Sequence, residues 1–92
     1  MIIHLHRNFK KHYKQSFSTN KKLTESQKKK FKQRRNLFLQ DEFDPILNNH
    51  ALKGKYEGYR SINIAGDLRV IYKTEAEVVI FVTIDSHSNL YS

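Results

Sequence analysis

Between residues 59 and 73 the side chains alternate apolar and polar with a period of two, interrupted once by Ala65-Gly66-Asp67. The stretch YRSINI puts Arg60, Ile62 and Ile64 on one face and Tyr59, Ser61 and Asn63 on the other. LRVIYK likewise sets Leu68, Val70 and Tyr72 against Arg69, Ile71 and Lys73. The interruption is short enough for a hairpin. If all three of its residues form the loop, Ile64 pairs with Leu68, Ile62 with Val70, and Asn63 with Arg69. A one-residue slip would strand Val70 among polar partners, so the apolar pattern selects this register. After TEAE comes VVIFVTI, apolar on both faces, which predicts a strand in the middle of a sheet.

Upstream the period changes. IIHLH predicts a short strand. From Asn8, Phe9, Tyr13 and Phe17 recur every fourth residue and predict a helix with one apolar stripe. SFSTNKK breaks that pattern as a polar loop. Thr24 and Gln27 have the spacing of a capping box, in which each side chain satisfies a free backbone N–H in the other's turn. They predict a second helix over roughly 25–40. Phe31 and Phe38 lie two turns apart on it, with Leu37 and Leu39 beside them, while Lys28, Lys29, Lys30, Lys32, Arg34 and Arg35 occupy its other faces. Such a helix buries a narrow stripe and leaves a basic face in solvent. DEFDPILNNHALKGKYEG reads as a long ordered loop with one short turn. The order β-α-α-β-β-β predicts a small single α+β domain spanning residues 1–92. Its two N-terminal helices are expected on one face of a mainly antiparallel twisted sheet, with the other face open.

Composition narrows the function. The chain of 92 residues carries 17 Lys and Arg against nine Asp and Glu. Twelve of those cations and four of the acids lie in residues 1–50, whereas residues 51–92 hold five of each. The whole excess therefore sits in the first half. A one-sided positive field attracts polyanions, so nucleic acid or a strongly acidic protein is the first expected partner. The alternative is a lysine-rich helix face that keeps the protein soluble. Without cysteine, neither a disulfide nor a Cys-ligated metal site can form. His4 and His6 alternate on a strand, but two ligands do not make a metal site; no cofactor or metal is expected. The absence of a long apolar run and of a signal-peptide pattern at MIIHLHRNFKK predicts a soluble cytoplasmic protein.

On the open sheet face, Asn63 and Arg69 are expected side by side, with Asp67 at the hairpin end, His50 in the preceding loop and His87 just past the last strand. This set suits general acid–base catalysis at a phosphate, because one imidazole can take a proton while another gives one near neutral pH. In RNA cleavage a base deprotonates the 2′-OH, an acid protonates the leaving 5′-oxygen, and an arginine stabilises the phosphorane. The spacing leaves a second reading open, in which the histidines are surface residues, Asp67 is turn chemistry and Arg69 pairs with an acid on the sheet.

The stretch HALKGKYEGYRSINIAGDLRVIYK, followed by FVTIDSHSNLY, resembles the RelE/ParE superfamily of toxins from bacterial toxin–antitoxin pairs, within its YafQ-like branch. Residues 50–91 follow the pattern H-x-L-x-G, YRS-x-x-I, G-D-W-R-x-I-Y and G-T-H-x-x-L-Y almost throughout. The resemblance implies a metal-independent endoribonuclease, an mRNA interferase that enters the ribosomal A site, cuts mRNA there and so inhibits translation. It implies His50 as general base with Asp67 assisting or orienting it, His87 as general acid, Arg69 stabilising charge, and Tyr91 stacking on a base or orienting the scissile nucleotide. Asn63 joins this set, at a position where the branch can carry a further histidine. The Lys-rich helix, together with Lys53, Lys55 and Arg60, would bind ribosomal RNA and mRNA phosphates. An acidic cognate antitoxin is the implied protein partner. Leu68 stands where the pattern has Trp, Thr83 where a second Arg can occur, and Asp85-Ser86 replace Gly-Thr before His87. ParE-like members of the superfamily inhibit DNA gyrase instead, and a plasmid-stabilisation module that binds RNA with weakened catalysis is the other alternative.

Overall fold

The structure, a computed structural model, describes residues 2–14 and 23–86. Strand β1 (Ile2–Leu5) leads into helix α1 (Arg7–Lys14), and helix α2 (Glu25–Gln40) follows. Strands β2 (His50–Ala51), β3 (Arg60–Ala65), β4 (Leu68–Glu75) and β5 (Val78–Ser86) complete the helices and strands of the described residues. They form one five-stranded sheet in the order β1-β5-β4-β3-β2. Among the described residues only β1 and β5 run parallel, and the other pairings are antiparallel. The apolar strand β5 is therefore flanked on both sides, as its double-faced hydrophobicity requires.

Local chemistry sets the helix ends. Thr24 Oγ1 accepts from the Gln27 N–H at 3.0 Å and Gln27 Oε1 accepts from the Thr24 N–H at 2.9 Å, closing the expected capping box. His6 caps α1, its Nδ1 accepting from the Asn8 N–H at 3.0 Å. Phe9 from α1 and Phe31 and Phe38 from α2 meet Tyr72 and Phe81 of the sheet in one buried cluster, so both helices lie on one face. The rings of Phe38 and Tyr72 stand 5.0 Å apart at 80°, an edge-to-face pair contributing about 0.5–1.5 kcal/mol beyond area burial. Phe17 and the SFSTNKK loop lie outside the described residues.

Four expectations need correction. First, Ala65 rather than Ile64 pairs with Leu68, although Ile62 opposite Val70 and Asn63 opposite Arg69 hold. A bulge at Ile64 absorbs one residue, which leaves a two-residue turn, Gly66-Asp67, and lets Ile64 and Leu68 both enter the core. Gly66 takes φ +55°, a conformation that costs glycine nothing. Second, the loop after α2 contains strand β2, antiparallel to β3, and two 3₁₀ turns at Pro45–Leu47 and Gly54–Tyr56. Third, the sheet's other face is only partly open, because Leu52, Tyr56 and Tyr59 pack over Ile71 there. Fourth, the basic residues of α2 do not form a single exposed face: at 100° per residue, Lys28, Lys32 and Arg35 flank the Phe31–Phe38 stripe on one side and Lys30 and Arg34 on the other. Lys29 and Lys32 are exposed, while the other four are half-buried.

A second bulge matters more for function. Tyr72 pairs with Phe81 but Ile71 pairs with Thr83, so Val82 is the extra residue and the facing of β5 inverts. Val79 and Phe81 point to the helices before it, and Ile84 does after it. Thr83 and Asp85 are thereby turned to the open face, where Asp85 stands opposite Arg69. Among the described residues no helix is long and apolar enough to cross a membrane.

Two substitutions test this packing by urea denaturation. Phe38→Ala, at a fully buried ring, is expected to cost about 3–5 kcal/mol. Thr24→Ala, which removes only a cap, is expected to cost about 1 kcal/mol.

Candidate active site

Arg69 is the only arginine that β3 or β4 directs to the open face, and it is 5% exposed. A guanidinium so far from water requires partners, and three are close by. Its Nε donates to Ser61 Oγ at 2.6 Å, one Nη donates to the Asn48 carbonyl at 3.0 Å, and the same nitrogen lies 3.3 Å from His50 Nδ1. Asn48 can offer that carbonyl because it ends the Pro45–Leu47 turn in a left-handed conformation, φ 45° and ψ 51°, which asparagine tolerates better than most residues.

His50 itself is exposed, at the start of edge strand β2 and opposite Ser61. Its Nδ1 sits 3.1 Å from the Asn48 carbonyl as well as near Arg69. Each tautomer therefore has a partner. With the proton on Nδ1, the ring donates to Asn48 and Nε2 is an open base; with the proton on Nε2, Nδ1 accepts from Arg69 and Nε2 is a donor. A ring with both options satisfied can exchange protons without leaving its place.

The other expected site residues fall at different distances from this pair. Asn63 is beside Arg69 in register, but its amide donates to the Gly66 carbonyl at 2.8 Å and so braces the hairpin turn. Asp67 is exposed in that turn, and among the described residues no hydrogen bond joins it to His50; the ring is oriented by Asn48 and Arg69 instead. His87 and Tyr91 lie outside the described residues. Lys53 and Lys55 are exposed on the segment that covers the apolar half of this face, with Lys55 Nζ 5.3 Å from the Tyr56 ring centre. Arg60 faces the opposite, helix-bearing side. It donates to Asn49 Oδ1 at 2.8 Å and lies 5.1 Å from the Phe43 ring centre.

The cations of α2 border two hollows. Lys29, Lys30 and Gln33 line a polar groove of about 230 Å³ that reaches Ala65 at the hairpin end. Lys32 and Arg35, with Lys10 of α1, rim an apolar cleft of about 250 Å³ floored by Phe9, Tyr13 and Phe31.

Sequence reasoning missed Ser61, Asn48 and Asn49. Ser61 could have been found, since it shares a face with Arg69 in the pattern that predicts the hairpin. Asn49 belongs to a network on the helix side. Its Nδ2 donates to Tyr72 Oη at 2.7 Å and to the Glu42 carbonyl at 3.0 Å, and Tyr72 Oη donates to Glu42 Oε2 at 2.7 Å. Burial raises the Tyr72 phenol above its ordinary value of 10, with the Glu42 carboxylate adding to the effect. A phenol that ionises in the unfolded chain before it does so in the folded one contributes stability below pH 10 that is lost as the pH climbs beyond. The unfolding free energy is thus expected to fall above about pH 10, and less steeply in Tyr72→Phe than in the native chain when both are followed by urea denaturation.

The family model described as a bacterial toxin of type II toxin–antitoxin system, YafQ, matches residues 1–92. No curated protein sequence matches the chain. The crystal structure of YafQ from Escherichia coli BL21(DE3) is similar at a TM-score of 0.75 and 21% identity, over 98% of this chain and 97% of that one. The E. coli DinJ–YafQ toxin–antitoxin complex is similar at 0.72 and 22% identity, over 98% and 96%. A YoeB/ParE toxin from Agrobacterium tumefaciens is similar at 0.69 and 18% identity, over 95% and 99%.

Proposed function

Because this chain belongs to the YafQ family of bacterial toxins of type II toxin–antitoxin systems, we propose that it is an mRNA interferase, a ribosome-dependent endoribonuclease that acts in the cytoplasm by acid–base chemistry. The observation that carries the reading is His50, its Nδ1 within 3.3 Å of a buried arginine and its ring exposed on the polar half of the sheet. His50 takes the proton of the 2′-OH through Nε2 while Nδ1–H is held by the Asn48 carbonyl. The alkoxide attacks the adjacent phosphorus, the bond to the 5′-oxygen breaks, and His87 supplies the proton to that oxygen. Arg69, fixed beneath His50, sets a positive charge beside the phosphorane without having to reorganise. Asp67 and Asn63 shape the hairpin end of the site, and Tyr91 stacks on a base. The two imidazoles supply both proton transfers, so the scheme requires no metal.

The basic residues provide the docking field. Lys28, Lys29, Lys30, Lys32, Arg34 and Arg35, with Lys53 and Lys55, hold ribosomal RNA phosphates on either side of α2 and beside the site. Arg60 contributes less, being committed to Asn49 on the other face. The partner that silences the toxin is an acidic antitoxin, a reading supported by the likeness to the DinJ–YafQ complex and by the net charge of +8.

Expression of the chain alone in bacteria is expected to arrest growth and to create new mRNA 5′ ends inside translated codons. With purified ribosomes, His50→Ala and His87→Ala are each expected to slow cleavage about 10²–10⁴-fold. Growth arrest with intact mRNA and supercoiling-defective DNA would overturn the proposal in favour of gyrase inhibition. In a filter-binding assay with RNA, Lys29→Gln combined with Lys30→Gln is expected to reduce the slope of log affinity against log salt by about 1–2.

A further inference from the structure

Strand β2 is two residues long and lies at the sheet edge, paired only through His50 opposite Ser61 and Ala51 opposite Arg60. So short a strand does not hold its position by its ladder alone. Yet it carries the imidazole on which the proposed chemistry depends, and misplacing a catalytic group by about 1 Å can cost roughly 10²-fold in rate. Something else has to fix it.

Consecutive residues of an extended segment point to opposite faces, so Asn49 projects to the helix side while His50 projects to the open side. The Asn49 amide is almost fully used there. Nδ2 gives one hydrogen to Tyr72 Oη at 2.7 Å and the other to the Glu42 carbonyl at 3.0 Å, while Oδ1 receives Arg60 Nε at 2.8 Å. Tyr72 is fully buried in β4, and its ring packs against Phe38, so its hydroxyl is an immobile anchor. Glu42 Oε2 accepts a hydrogen bond from that hydroxyl at 2.7 Å and closes the network onto the segment that follows α2. Three residues earlier in β4, Arg69 grips the same segment from the other face through the Asn48 carbonyl and His50 Nδ1.

We propose that Asn49 and Tyr72 are positioning residues for His50: β4 clamps residues 48–50 from both faces of the sheet, through Arg69 on one side and through Tyr72 and Asn49 on the other, and this clamp fixes the imidazole. Neither residue touches substrate. The inference rests on the reading of His50 as a proton-transfer group, but its first test reads the ring itself.

Tyr72→Phe keeps the core ring and deletes the anchoring hydroxyl, and Asn49→Ala removes the amide at a position outside the core. The His50 imidazole signals of both are compared with those of the native protein by ¹H–¹⁵N correlation spectroscopy, well below each variant's melting temperature. Altered tautomer signals for His50 in either variant are expected. Cleavage of ribosome-bound mRNA is then followed, with kcat expected to fall about 10–100-fold and KM for ribosomes to change less than about 2-fold, because the docking lysines are untouched. His50 signals unchanged in every variant that folds would overturn the proposal, as would native kcat in folded variants. If the native protein cleaves no mRNA, the functional reading fails, and the imidazole spectra alone still decide whether the clamp positions the ring.

Discussion

A guanidinium kept from water in the face of a sheet is the constraint around which the site is built. Removing a charge from water costs several kcal/mol unless hydrogen bonds and opposite charge replace the lost hydration. For Arg69 the replacements come from β3 through Ser61, from the segment before β2 through the Asn48 carbonyl, and from His50. Asp85 stands across from it on β5, at a position that only the bulge at Val82 turns toward this face. Satisfying one side chain thus draws in the edge segment, gives β2 its place and sets a histidine at the surface beside a fixed positive charge. The same demand explains why the left-handed Asn48 is worth its strain: the turn exposes a carbonyl where the guanidinium needs one.

The two faces of the sheet divide the labour. Toward the helices lie Phe9, Phe31, Phe38, Tyr72 and Phe81, an aromatic core that holds the strands flat against α1 and α2. Toward the other side, Leu52, Tyr56, Tyr59 and Ile71 cover one half and leave the other polar. The covering segment belongs to the same connection that delivers His50, so one stretch of chain both seals the apolar half and furnishes the polar one. The helices meanwhile carry the charge. With cations on both flanks of the Phe31–Phe38 stripe, α2 presents a broad field to a polyanion rather than a single line of contacts.

Much of this is legible in the sequence, and the exceptions share a cause. The limits of α2 follow from Thr24, Gln27 and the spacing of Phe31 and Phe38, which are local signals. The pairing of Ile62 with Val70 and of Asn63 with Arg69 follows from alternation. The bulges at Ile64 and Val82 do not, because each answers a demand from across the fold: one brings both Ile64 and Leu68 into the core, the other turns Asp85 toward Arg69. VVIFV is apolar at every position, so its own pattern carries no parity to be inverted. Strand β2 escapes for a related reason, since two residues have no period and their place is decided by Arg69 and Asn49. His50 and Arg69 are readable as chemistry, whereas the carbonyl and amide that orient them are visible only once the chain is folded.

The central proposal, that RNA is cut with His50 on the polar half of this face taking the 2′-OH proton, is tested most directly by the ends the cleavage leaves. Ribosome-bound mRNA is cleaved with the purified protein in the presence of its ribosomes, and the termini of both fragments are identified by mass spectrometry. Attack by the 2′-OH predicts a 2′,3′-cyclic phosphate on the upstream fragment and a free 5′-hydroxyl on the downstream one. A 3′-hydroxyl with a 5′-phosphate would contradict the account, because it requires an attacking water in place of the ribose and gives His50 no 2′-proton to remove.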